Sequence, residues 1–104
     1  MARIVVVGIE GTDSSHDALT WAAVAAAQRK DALEIVYAIG VPYADMNVLY
    51  DDAIEQGAQL LLHDESERAL SAQPGVTVTT TLSRQSPGKA LTEASERAAL
   101  LVVG

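Results

Sequence analysis

The chain has 104 residues, carries 14 Asp plus Glu against 7 Lys plus Arg, and contains no cysteine. That length suits one domain, residues 1–104, burying about two-thirds of its unfolded surface; a formal net charge of −7 argues against a nucleic-acid partner, which needs clustered Lys and Arg. Missing cysteines exclude disulfide frameworks and zinc fingers, and no apolar run approaches the ~20 residues that span a bilayer, so a soluble, acidic, cytoplasmic protein with no membrane partner is expected.

Ile4-Val5-Val6-Val7 is an unbroken β-branched run ending at Gly8. Such runs mark strands buried on both faces, the central positions of a parallel sheet. Ser14-Ser15-His16-Asp17 then reads as a near capping box with Ser14 as the cap. Ala18, Leu19, Ala22, Ala23 and Ala26 follow at helical spacing, and Arg29 and Lys30 suit the negative end of that helix. Leu33 to Ile39 reads as a second strand, closed by Gly40-Val41-Pro42. A polar helix is expected from Asn47 to Ala72 with Ile54, Ala58 and Leu61 inward, weakened by about 1 kcal/mol at Gly57. Gln73-Pro74-Gly75 stops it.

Val76 to Leu82 alternates, with Val76, Val78, Thr80 and Leu82 on one face and Thr77, Thr79 and Thr81 on the other, which suits an edge strand. Ser86-Pro87 opens a third helix as N-cap and first turn, striped by Ala90, Leu91, Ala94 and Ala98. Leu100 to Val103 is the fourth strand, followed by Gly104. The resulting βαβαβαβ pattern implies a three-layer α/β fold: an open parallel sheet with helices on both faces and strand order 3-2-1-4. Because Leu100–Val103 is as apolar as Ile4–Val7, it also reads as an inner strand. The domain is therefore expected to be C-terminally incomplete, with a further strand covering that edge.

Chain direction reverses between strands 1 and 4, and ligands of such sheets bind beyond the strand C-termini at that switch point. Gly8 to Ser15, Ala38-Ile39-Gly40 and Val103-Gly104 converge there, and a helix N-terminus adjoins them. A nucleotide is a reasonable guest. Glu10 is the candidate acceptor for a ribose hydroxyl or adenine amine, or an outer ligand of phosphate-bound Mg²⁺, with an exposed loop carboxylate as the plain alternative. Gly8-x-x-Gly11 is neither a Rossmann fingerprint nor a Walker A, and no G-x-S-x-G elbow exists. Ser14, His16 and Asp17 read as capping and solvation, since neighbours around one helical turn do not face one another as a triad must. His63, Asp64, Glu65 and Glu67 read as a solvated helix face, as do Asp51 and Asp52. Trp21 and the three tyrosines are expected to pack against the sheet.

The chain resembles the universal stress protein family. The stretches that carry the likeness are Ile4–Ser15, Ala18-Leu19-Thr20-Trp21-Ala22, Leu33–Ala38, Ser86–Leu91 and Ala98–Gly104, spaced across the chain and least distinctive in the middle helix. The bacterial version is the nearer one. The resemblance implies a five-stranded sheet of order 3-2-1-4-5, an ATP site, frequent homodimerisation through the fifth strand, and a regulatory role in stress responses; an enzyme is the weakest expectation, because no residues supply a general base with an orienting partner near the switch point. Carried over, the adenosine contacts are Gly8, Ile9, Glu10, Ala38, Val103 and Gly104, with Gly11 and Thr12 in the adjoining loop. The family commonly has Asp where this chain has Glu10, which moves the carboxylate about 1.5 Å outward. Of the family's phosphate-gripping pattern, Gly-x2-Gly-x9-Gly-Ser/Thr, only Gly104 is present, so ATP, with or without Mg²⁺, is expected to bind this polypeptide weakly. Gln85 and Ala99 replace common Gly and Asp at a turn and a surface. The alternative implied function is a dimeric interaction scaffold that binds no nucleotide.

Overall fold

The β-branched run after Arg3 forms β1 (Ile4–Ile9), two residues longer than the run itself because Gly8 and Ile9 keep pairing with a neighbour. The computed structural model describes residues 3–10, 12–40 and 48–104. In chain order the remaining elements are α1 (Asp13–Arg29), β2 (Ala32–Ala38), α2 (Val48–Ala72), β3 (Val78–Ser83), α3 (Pro87–Ser95) and β4 (Leu100–Val103). Of the expected opening of the second helix, Asn47 lies outside the described residues, as do Val41-Pro42.

All four strands run parallel in the order β3-β2-β1-β4. Ile4 stands opposite Ala32, Val5 opposite Leu100, and Leu33 opposite Val78. β1 is thus flanked on both sides, and Val5, Val6 and Val7 are fully buried. The expected sheet order and the helices on both faces are what the structure has. α1 and α2 cover one face, where Val5, Val7, Ile9, Leu33 and Ile35 meet Leu19, Leu62 and the α1 alanines. α3 covers the other, where Val6 and Val36 meet Ala90 and Ala94. Alanines at 22, 23 and 26 let α1 lie close on the sheet, while Leu19 and Leu62 each contribute about 2 kcal/mol through burial.

Several local expectations are corrected. The cap of α1 is Thr12, whose side chain accepts the Ser15 N–H; Ser14 is not the cap, because the chain is still extended at Thr12 and already helical at Ser14. α1 closes on Lys30 in the left-handed region (φ 59°), which turns its N–H back to the carbonyls of Ala26 and Ala27. Along α2 the buried stripe is Ala58, Leu62, Glu65 and Ala69, while Ile54 and Leu61 are only half-buried. β3 starts at Val78, with Val76 buried just before it, and Ala98 lies beyond α3 yet still packs on the second face. Trp21 is 58% exposed rather than packed on the sheet. It sits beside β4, expected as an inner strand but the outermost described strand on its side of the sheet, in a groove it shares with Ala18, Leu100 and Val102. Tyr37 does pack on the core; Tyr43 and Tyr50 lie outside the described side chains.

One buried charge interrupts the β2 run. Glu34 is 7% exposed and accepts from Arg97 Nη2 at 2.7 Å, Arg97 Nε at 3.1 Å and Thr81 Oγ1 at 2.6 Å. The polar face of β3 therefore has a partner in Thr81. Hydrogen bonding to the Arg97 guanidinium holds the Glu34 carboxyl below its ordinary value, against burial, with Thr81 assisting. The same pairing pushes the Arg97 guanidinium up.

Candidate functional site

β1 and β4 end side by side, with Gly8 opposite Val103. The helix that follows β1 (α1) and the helix that leads into β4 (α3) lie on opposite faces of the sheet, so a cleft opens between the C-terminal tips of the two strands. Its walls are Gly8, Ile9, Glu10, Val36, Ala38, Pro87, Leu91, Val103 and Gly104. Six of the eight expected site residues are thus brought together. Gly11 lies outside the described residues, and Thr12 is spent on capping α1, its hydroxyl 3.3 Å from both the nitrogen and the hydroxyl of Ser15.

Sequence reasoning missed Val36, Pro87 and Leu91. Pro87 and Leu91 stand one helical turn apart, so the face of α3 that meets β1 follows from the i, i+4 spacing once Pro87 is known to open the helix. Leu91 comes closest to β1 at Gly8: a Cβ there would lie 2.7 Å from Leu91 Cδ2. The missing side chain admits the leucine into the cleft. Gly104 is equally constrained on the other wall, where a Cβ would meet Ser14 O at 2.6 Å and Ala18 Cβ at 2.7 Å.

With Leu91 in place the cleft holds only about 50 Å³, against roughly 300–1,000 Å³ for pockets that enclose a small ligand. A planar base therefore enters only by moving Leu91 or lying across the rim at Glu10. Glu10 is exposed, but its backbone is fixed: its N–H donates to Ser15 Oγ at 2.8 Å, and Ser15 is 1% exposed. Among the described lining residues Glu10 is the one titratable side chain. The cleft can accept hydrogen bonds and cover an apolar ring, but these residues supply no nucleophile with a base beside it.

Next to the cleft the first turn of α1 reaches α2. His16 Nε2 lies 3.0 Å from Glu65 Oε1, and His16 Nδ1 lies 3.8 Å from Asp13 Oδ1. His16 and Glu65 are therefore not the solvated groups expected, since Glu65 falls on the buried stripe of α2. The spacing 58, 62, 65, 69 carried that signal. His63, Asp64 and Glu67 are exposed, and no metal-holding cluster of His, Cys, Asp and Glu occurs among the described residues. No described helix is long and apolar enough to cross a membrane.

The family model described as the universal stress protein family matches residues 1–104. The universal stress protein Rv3134c of Mycobacterium tuberculosis strain H37Rv is 31% identical over 103 residues, covering 99% of this chain and 38% of that protein. The chain thus spans 38% of the length of the curated relatives it matches. Among solved structures, a universal stress protein crystallised in complex with cAMP has a TM-score of 0.80 at 30% identity, over 98% of this chain and 75% of that one. The crystal structure of protein Rv1636 from Mycobacterium tuberculosis H37Rv has a TM-score of 0.68 at 34% identity, over 100% and 72%.

Proposed function

Because the chain belongs to the universal stress protein family, we propose that it binds an adenine nucleotide in the cleft between the tips of β1 and β4. Its role would be that of a non-enzymatic stress-response regulator in the cytoplasm. The observation that carries this is the convergence of Gly8, Ile9, Glu10, Ala38, Val103 and Gly104 on one cleft at the switch point. A relative of the same fold, 30% identical, crystallised with cAMP, supports it.

The chemistry of the cleft suits adenosine. Ile9, Val36, Ala38 and Leu91 present apolar surface to a ring, and the Glu10 carboxylate offers acceptors to an exocyclic amine or ribose hydroxyl. Phosphates are served less well. Glu10 and Asp13 already place two carboxylates at the N-terminal end of α1, where a phosphate would otherwise be favoured. Bound nucleotide supplies occupancy rather than chemistry. A base binds either by displacing Leu91 or by lying across the rim at Glu10.

Calorimetry with AMP, cAMP and Mg·ATP tests this. AMP and cAMP are expected to bind, ATP no more tightly than AMP, and Glu10→Ala to weaken AMP by about tenfold, the loss of one charge-assisted hydrogen bond. Absence of heat with all three ligands would sink it.

A second reading, a homodimeric scaffold that binds no nucleotide, is favoured by the apolar surface exposed along β4. Val103 there is 61% exposed and Trp21 stands beside it. A nucleotide-blind protein that sediments as a dimer would put this reading first.

A further inference from the structure

α1 and α2 meet at a buried carboxylate. Glu65 has 2% of its side chain exposed, and its Oε1 takes the 3.0 Å contact from His16 Nε2. Its Oε2 lies 3.7 Å from Arg68 Nε, beyond hydrogen-bond reach, and is itself buried without a hydrogen-bond partner. Ionised carboxylates so shielded from water depend on a nearby cation. Among the described residues, the charged groups against His16 are Asp13 on its own helix and Glu65 on α2, and Arg68 lies beyond, against Glu65. The strand faces under α1 are apolar, and Glu34 points from the opposite face toward Arg97.

His16 also belongs to the turn that holds the cleft loop. Its backbone N–H donates to Thr12 O at 3.0 Å, and the neighbouring Ser15 hydroxyl holds the Glu10 N–H at 2.8 Å. A short run of contacts therefore joins Glu65 to the backbone of Glu10. Histidine is the side chain whose charge changes between about pH 5 and 8.

We propose that His16 and Glu65 form a proton-operated tether that couples the position of Glu10 to α2. With His16 charged, the first turn of α1 is drawn onto the buried carboxylate; when the proton leaves, the turn loosens and Glu10 with it. His16 is a positioning residue, one turn removed from the cleft. That the loop serves a nucleotide rests on the reading above, whereas the tether does not.

The test is NMR of the ¹⁵N-labelled free protein from about pH 5 to 8, following the His16 ring and the amides of Glu10 and Ser15. Both amides are expected to shift along the His16 titration. Glu65→Gln should abolish that response at Glu10. His16→Gln, which keeps a donor without the titrating charge and leaves the exposed His63 intact, should give a flat Glu10 profile. Amides that ignore His16, or that respond equally in the His16→Gln variant, would overturn the tether, and this comparison decides even if Glu65→Gln fails to fold. AMP titrations of the wild type at both ends of the range separate the two proposals. Tighter binding at the acid end supports both, and equal affinity overturns the positioning role. Coupled amides without AMP binding uphold the tether and remove the nucleotide.

Discussion

Replacing Arg97 with alanine strips Glu34 of two charge-assisted hydrogen bonds and leaves it Thr81 as donor. Removing one partner from a fully buried pair costs about 3–5 kcal/mol. The Arg97 side chain is 45% exposed, so water replaces part of its contribution, and the expected loss is about 2 kcal/mol. In a domain of this length that lowers Tm by roughly 8–16 °C. The loss should depend on pH in a defined sense. Folding holds the Glu34 carboxyl below its ordinary value of 4.5, chiefly through Arg97, so between the folded and unfolded values the unfolded chain binds more protons. Stability then rises with pH across that interval. The contribution of the pair is complete above the ordinary value and disappears as pH falls through the lowered one. Urea unfolding of both proteins from about pH 7 to about pH 3 should show a gap near 2 kcal/mol that closes on acidification, with unchanged m-values. A neutral-pH gap under about 0.5 kcal/mol, or one that persists in acid, would refute the role assigned to this pair.

Two further substitutions probe the cleft. Ser15→Ala removes the buried hydroxyl that accepts the Glu10 N–H; stability should fall by about 1–2 kcal/mol and the Glu10 amide should exchange faster, whereas unchanged exchange would detach Ser15 from the loop. Leu91→Ala should cost about 2 kcal/mol of stability yet tighten AMP binding, measured by calorimetry, because the base no longer has to displace a side chain. Weaker binding would make Leu91 a wall of the site rather than its plug.

The architecture was legible in the sequence because its signals are local and repeated. The continuous β-branched run at Ile4–Val7 is buried only between neighbours in a parallel sheet, and the alternation in Val76–Leu82 belongs at an edge. Once strand order follows from burial, the meeting of Gly8, Ile9, Glu10, Ala38, Val103 and Gly104 follows from topology. Element boundaries were less legible: Ser14 makes as good a cap as Thr12 by residue type, and only the backbone path beyond Glu10 chooses between them.

Amino-acid order by itself determined the fold class, the sheet order and the end of the sheet where a ligand would lie, since these depend on periodicity and the handedness of crossovers. Tertiary structure alone decided which polar groups became internal. Glu34 found Arg97 and Thr81, Glu65 found His16, and Leu91 came to rest over Gly8, each pair drawn from segments far apart in the chain. The cost of burying a carboxylate, or the depth of a cleft, depends on atoms that no local pattern brings together.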